Sequence, residues 1–139
     1  MPHKISYDWD WINHQLEVIG EQLENRDKPA FVTGVPRGGL IPAVLASHKL
    51  DIPFIPLESA TTLPTKNKAQ ILVFDDIADS GETLMYLENH NFITATLALR
   101  HDSRFTPDYV GEFINDDHWL VFPWEELSAK PIQGYLADK

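Results

Sequence analysis

The sequence of 139 residues predicts an α/β fold: a twisted parallel sheet with helices on both faces. Three observations predict it. Ile71–Phe74 (ILVF) and 93–99 (ITATLAL) are short, continuous apolar runs rich in β-branched residues. Such runs suit strands buried on both faces of a parallel sheet. Two strand candidates, near 30–35 and 71–74, each lead into a loop of small residues and then a helix-forming stretch. Residues 8–24 carry the spacing of an amphipathic helix.

In the helix over 8–24, Asp8 is placed as the N-cap and Asp10 sits in the first turn, where negative charge favours the dipole. Ile12, Leu16, Ile19 and Leu23 fall on one face, and His14 lies on the other. Trp9 and Trp11 read as packing or interface residues. A turn over 25–29 leads to the first core strand, 30–35. Gly34-Val35-Pro36-Arg37-Gly38-Gly39 follows, then a helix over 40–50 with Leu40, Ile41, Val44 and Leu45 expected to face inward. The glycines let backbone N–H groups approach an anion, and Arg37 adds a charge-assisted fork. This loop is neither G-x-x-x-x-G-K-[ST] nor G-x-G-x-x-G, which argues against a nucleoside triphosphatase or a dinucleotide enzyme. Residues 54–57 read as a short strand and 58–69 as a polar loop.

The most informative stretch is 71–84, ILVFDDIADSGETL. A buried strand leads to the adjacent acids Asp75 and Asp76. Asp79-Ser80-Gly81-Glu82-Thr83 follows, then a helix opening at Leu84. Ligands of open α/β sheets bind beyond the carboxyl ends of strands. A small-residue loop at a helix N-terminus offers N–H groups to an anion. Carboxylates beside a phosphate cradle repel the phosphate, unless the ligand also carries neutral hydroxyls and Mg²⁺ is near. A ribose 5-phosphate is such a ligand. An ordinary capped turn requires one Asp or Ser, not three acids at fixed spacing.

Length predicts one domain, 1–139. Apolar content of 43% with 23% charge marks a globular chain. No apolar run is long enough for a membrane span, MPHKISYDWD has no secretory h-region, and there is no cysteine. A cytoplasmic protein without disulfides is expected. The net charge of −10 argues against nucleic acid and anionic membrane as partners. It also leaves local cations and Mg²⁺ to hold any polyanionic substrate. The arginines are Arg26, Arg37, Arg100 and Arg104. The six histidines show no metal-ligand spacing, though His101 and His118 fall near the candidate site. No repeat or low-complexity tract is present, and residues after Leu127 carry no pattern.

VFDDIADSGETL resembles the phosphoribosyl-pyrophosphate signature of the type I phosphoribosyltransferases: four hydrophobics, two acids, two spacers, Asp, Ser or Thr, Gly, a variable residue and Thr. GVPRGGLIP resembles the family's pyrophosphate loop. PDYVGE at 107–112, with DDHWLVFPWE at 116–125, is similar to the C-terminal base-binding hood of the 6-oxopurine branch. The resemblance spans about residues 5–125, with the hood at roughly 100–125.

It implies transfer of a phosphoribosyl group from phosphoribosyl pyrophosphate to guanine, xanthine or hypoxanthine by a homo-oligomer with Mg²⁺. By the resemblance, Asp75 and Asp76 hold the ribose hydroxyls, with Asp76 also on the metal, and Asp79 accepts the proton of the purine. Arg37, Gly38 and Gly39 bind pyrophosphate, and Asp79, Ser80, Gly81, Glu82 and Thr83 bind the 5-phosphate. Trp119 stacks on the purine, and Leu120 offers backbone hydrogen bonds to its edge. Arg100 replaces a Lys that donates to the 6-oxygen. A non-proline cis bond is implied at Pro36–Arg37, and a mobile lid at 58–69. The lid here has Ser59 but lacks the family's tyrosine. Glu82 must point away from the phosphate. A non-catalytic phosphoribosyl-pyrophosphate sensor and transfer to another nucleobase are the alternatives.

Overall fold

The computed structural model describes residues 3–125; the patternless stretch after Leu127 lies outside them. Eleven elements follow one another among the described residues. They are β1 (Lys4–Ser6), α1 (Trp9–Leu23), β2 (Phe31–Gly34), α2 (Leu40–Leu50), α3 (Leu57–Thr61) and α4 (Thr65–Lys68). Then come β3 (Ile71–Ala78), α5 (Glu82–Asn89), β4 (Ile93–Arg100), β5 (Tyr109–Ile114) and β6 (Trp119–Val121). The main sheet is parallel throughout, in the order β2-β3-β4-β5.

Alternation along β3 divides the core. Leu72 and Phe74 point to one face, where α1 and α2 supply Ile12, Leu16, Ile19, Leu23, Ala43 and Ala46. Ile71 and Val73 point to the other, where α3 and α5 supply Leu57, Ala60, Leu84 and Leu87. Helices on both faces leave β3 and β4 almost without solvent contact, hence their unbroken apolar runs. In α1 the expected cap forms: the Trp11 amide donates to Asp8 Oδ1 at 2.8 Å.

Three segments differ from expectation. In α2 the buried residues are Pro42, Ala43 and Ala46, and Val44 is exposed. Leu45 packs against the core as expected. The helix starts close against β2: a Cβ on Gly34 would lie 2.9 Å from Leu40 Cα. The strand expected at 54–57 is a single bridge, Val32 to Phe54, because Pro53 and Pro56 offer no N–H to a ladder. The polar loop expected at 58–69 holds two short helices, α3 and α4, and α3 is anchored by buried Leu57 and Ala60.

β3 also runs further than the apolar run suggested. It continues through Asp75 and Asp76 to Ala78, still pairing with β4 through Asp75–Thr96 and Ile77–Ala98. β2 ends at Gly34, so the far half of β3 has its β2 side open. The loop after β2 fills that opening. A second, smaller sheet pairs β1 with β6 in parallel, Lys4 opposite Trp119 and Ile5 opposite Leu120. The hood is thus built partly by the N-terminal strand, while Tyr109–Ile114 of the PDYVGE stretch runs in the main sheet as β5.

Candidate active site

The site grows from the open side of β3. Val35 N donates to Phe74 O at 2.9 Å, which turns the 34–39 loop across the end of the sheet. Gly39 N then donates to Val35 O at 2.9 Å and Leu40 N to Arg37 O at 3.1 Å. The Pro36–Arg37 bond is cis. Gly38 lies directly against Asp76; a Cβ there would sit 2.6 Å from Asp76 Cγ. The glycine requirement is therefore set by a carboxylate, and it puts the loop and the acidic pair in contact. Arg37 is exposed at the loop's tip.

The two acids are half-buried at the end of β3. Asp75 Oδ1 accepts the Asp76 amide at 2.9 Å, and Asp76 Oδ1 accepts the Ile77 amide at 2.8 Å. Burial pushes Asp75 well above the usual carboxylate range, and repulsion from Asp76 adds to it. Burial also raises Asp76, against the hydrogen bonds it accepts. Two crowded carboxylates of this kind fit a divalent cation and neutral hydroxyls. Among the described residues no three His, Cys, Asp or Glu side chains gather into a metal cage.

Next along the chain, Gly81 has φ +86°, a backbone conformation that favours glycine. A Cβ there would also lie 2.7 Å from Phe105 Cβ. Gly81 is the N-cap of α5, so the helix begins directly after Asp79-Ser80-Gly81. Ser80 Oγ accepts the Glu82 amide at 3.3 Å, and Ser80 O accepts the Arg104 amide at 3.2 Å. Glu82 is exposed in the first turn.

Asp79 and Arg100 meet as an ion pair, Nε to Oδ1 3.1 Å; the Arg100 side chain is 12% exposed and that of Asp79 70%. Arg100 also donates through Nη1 to the carbonyl of Asp116 at 3.2 Å. Arg100 therefore links the 79–83 loop to the segment from Asp116 that leads into β6. There Trp119 is half-buried, with Lys4 Nζ 5.3 Å from its ring centroid. Leu120 is buried in the core and lies opposite Ile5 in register, while the neighbouring Trp119 amide and Val121 carbonyl bond to the residues flanking β1. Trp124 stacks on Phe122 at 5.0 Å, as a packing residue.

Sequence reasoning missed Tyr7 and Asp116 and gave His118 no role. The ring of His118 lies between the Asp116 carboxylate and Tyr7 Oη, the latter 2.6 Å from Nε2. Hydrogen bonds from the His118 amide and ring hold Asp116 below the usual carboxylate range. Burial and nearby Glu112 and Asp116 raise Tyr7. The available signal was the position of His118 beside Trp119; its partner Tyr7 lies too far away in sequence to be foreseen.

No family model matches the sequence. The xanthine-guanine phosphoribosyltransferase of Cereibacter sphaeroides is 30% identical over 164 aligned positions, which cover 97% of this chain and 95% of the relative. The chain belongs to the xanthine-guanine phosphoribosyltransferase family. Two solved structures share the family's fold. A purine phosphoribosyltransferase from Pyrococcus horikoshii has a TM-score of 0.72 and 28% identity, covering 92% of this chain and 98% of that one. The xanthine-guanine-hypoxanthine phosphoribosyltransferase of Helicobacter pylori has a TM-score of 0.73 and 21% identity, covering 89% and 93%. The type I phosphoribosyltransferase architecture, a parallel sheet flanked by helices, is the one this family member adopts.

Proposed function

We propose that the protein transfers the phosphoribosyl group of 5-phosphoribosyl 1-pyrophosphate to a 6-oxopurine, releasing pyrophosphate. The observation that carries the reading is the contact of Asp76 with Gly38, which puts a carboxylate pair and a glycine-rich anion loop at one strand end. The likeness to the Cereibacter enzyme supports it.

In the reaction a bond forms between a purine ring nitrogen and ribose C1 while the bond from C1 to the pyrophosphate oxygen breaks. Positive charge develops at C1 and the ring oxygen. Asp75 and Asp76 hold the ribose hydroxyls, and their charge favours that state. Arg37 and the Gly38 and Gly39 amides take the leaving pyrophosphate. Ser80, Gly81 and Thr83 with the α5 N-terminus take the 5-phosphate, and exposed Glu82 turns to solvent. Asp79, paired with Arg100, accepts the purine proton. Arg100 donates to the 6-oxygen, Trp119 stacks on the base, and Leu120 offers its backbone. Asp76 would hold Mg²⁺, which when bound neutralises charge on the pyrophosphate. The same reading takes the protein to be a cytoplasmic homo-oligomer that binds neither nucleic acid nor membrane. The net charge of −10 speaks against nucleic acid and anionic membrane as partners.

The second reading is a non-catalytic sensor of phosphoribosyl pyrophosphate. The anchored α3, where a mobile lid was expected, favours it. Labelled phosphoribosyl pyrophosphate is incubated with a panel of nucleobases, with and without Mg²⁺. Nucleotide from guanine, xanthine or hypoxanthine, dependent on Mg²⁺, is the expected result. Binding without product selects the sensor, and product from another base alone selects a different acceptor.

A further inference from the structure

The chain Asp79–Arg100–Asp116–His118–Tyr7 runs unbroken from the candidate proton acceptor to the N-terminal side of the hood. The His118 side chain is 10% exposed, against 69% for Asp116. Its hydrogen-bond roles are fixed by its neighbours. Asp116 is an ionised acceptor, so His118 Nδ1 carries the proton toward it. Nε2 is then an acceptor, and Tyr7 O–H donates to it at 2.6 Å. The Tyr7 ring lies 5.9 Å from the His118 ring in a stacked arrangement. Tyr7 is itself fixed: its amide donates to Val121 O at 2.9 Å, and its ring packs 4.5 Å from Trp11. The Asp116 carbonyl accepts from Arg100, and Trp119 directly follows His118.

We propose that His118, clamped between Asp116 and Tyr7, is a positioning residue for purine recognition. It sets the 116–118 turn so that Arg100 and Trp119 address the same base. It touches no substrate and acts only through those two residues. A hydrogen-bonded second layer of this kind fixes the orientation of groups that do the binding. The chain touches the 79–83 loop only at Asp79, through Arg100, and includes no residue of the 34–39 loop, so His118 bears more on the purine than on phosphoribosyl pyrophosphate. This inference rests on the proposed function.

The test compares KM for guanine with KM for phosphoribosyl pyrophosphate in His118→Ala, His118→Asn and Tyr7→Phe. His118→Ala is expected to raise the guanine KM about tenfold, the scale of one lost hydrogen bond to a charged group, and to shift the other KM less than about twofold. His118→Asn keeps a donor near Nδ1 and should return the guanine KM to within about threefold of wild type. Tyr7→Phe, the loss of a single oxygen, should raise it about threefold. A merely structural role would lower thermal stability without splitting the two constants. Equal shifts in both KM values, an unchanged guanine KM, or no rescue by Asn would each overturn the proposal. Should His118→Ala fail to fold, the same comparison in Tyr7→Phe decides. A wild-type protein that makes no nucleotide from any 6-oxopurine would overturn the proposed function, and this inference with it; active wild type with flat variants overturns only the inference.

Discussion

Asp75 shows most directly that the site works against the fold. Burial and the neighbouring Asp76 raise its pKa in the folded chain. Folded protein then binds more protons than unfolded protein above the ordinary aspartate value near ~4, and stability falls as pH rises through that window. Asp75→Asn removes the ionisation. Thermal unfolding without metal should show the variant more stable than wild type at pH 8, by about 1 kcal/mol, with the gain vanishing towards pH 3. Turnover should be lost in the same variant. A variant less stable than wild type at pH 8 would contradict the argument. Trp119 is tested differently. Its half-buried ring has Lys4 on one side. Trp119→Ala should weaken purine binding by about 1–3 kcal/mol, the range for a lost base–aromatic stack. Calorimetry should find phosphoribosyl pyrophosphate binding unchanged. Equal weakening of both would make Trp119 a core residue.

At the scale of elements, what was legible followed from local pattern. The spacing of Ile12, Leu16, Ile19 and Leu23 located α1, and ILVF and ITATLAL located the two central strands. The strand–loop–helix units at Gly34–Gly39 and Asp79–Thr83 were legible because short-range chemistry builds them. On α2 the expected inward face was right at Leu45, which packs on the core, and wrong at Val44, which is exposed; the buried Ala43 and Ala46 were missed because small residues carry little weight in an apolar pattern. The strand expected around Phe54 is reduced to one bridge between two prolines, and the short helices α3 and α4 were missed because Leu57, which anchors the first of them, reads as the end of that strand. That last difference has a consequence for stability. Leu57→Ala should cost about 2–5 kcal/mol in urea unfolding, the range for emptying a core leucine site. A change within about 0.5 kcal/mol would mean that α3 sits loosely on the surface after all.

For the whole molecule the governing quantity is the charge of −10. A polyanionic substrate approaches a repelling field, and only local donors reverse it. Raising NaCl from about 10 to about 100 mM shortens the Debye length to about 10 Å and screens that field. With Mg²⁺ held saturating, KM for phosphoribosyl pyrophosphate should therefore fall over this range, as steady-state rates would register; a rise would mean that local cations dominate even at a distance. The pairing of Lys4–Ser6 with Trp119–Val121 is also a property of the whole molecule, since it joins segments from opposite ends of the described chain. Parallel pairing across so long a loop is the most entropically demanding contact to make. During synthesis, a nascent chain can complete the main sheet while its β1 strand still waits for a partner. The β1–β6 pair is then the last to assemble, and on the proposed function a polypeptide cut short before Trp119 would keep the 34–39 and 79–83 loops and lose the ring that stacks on the base.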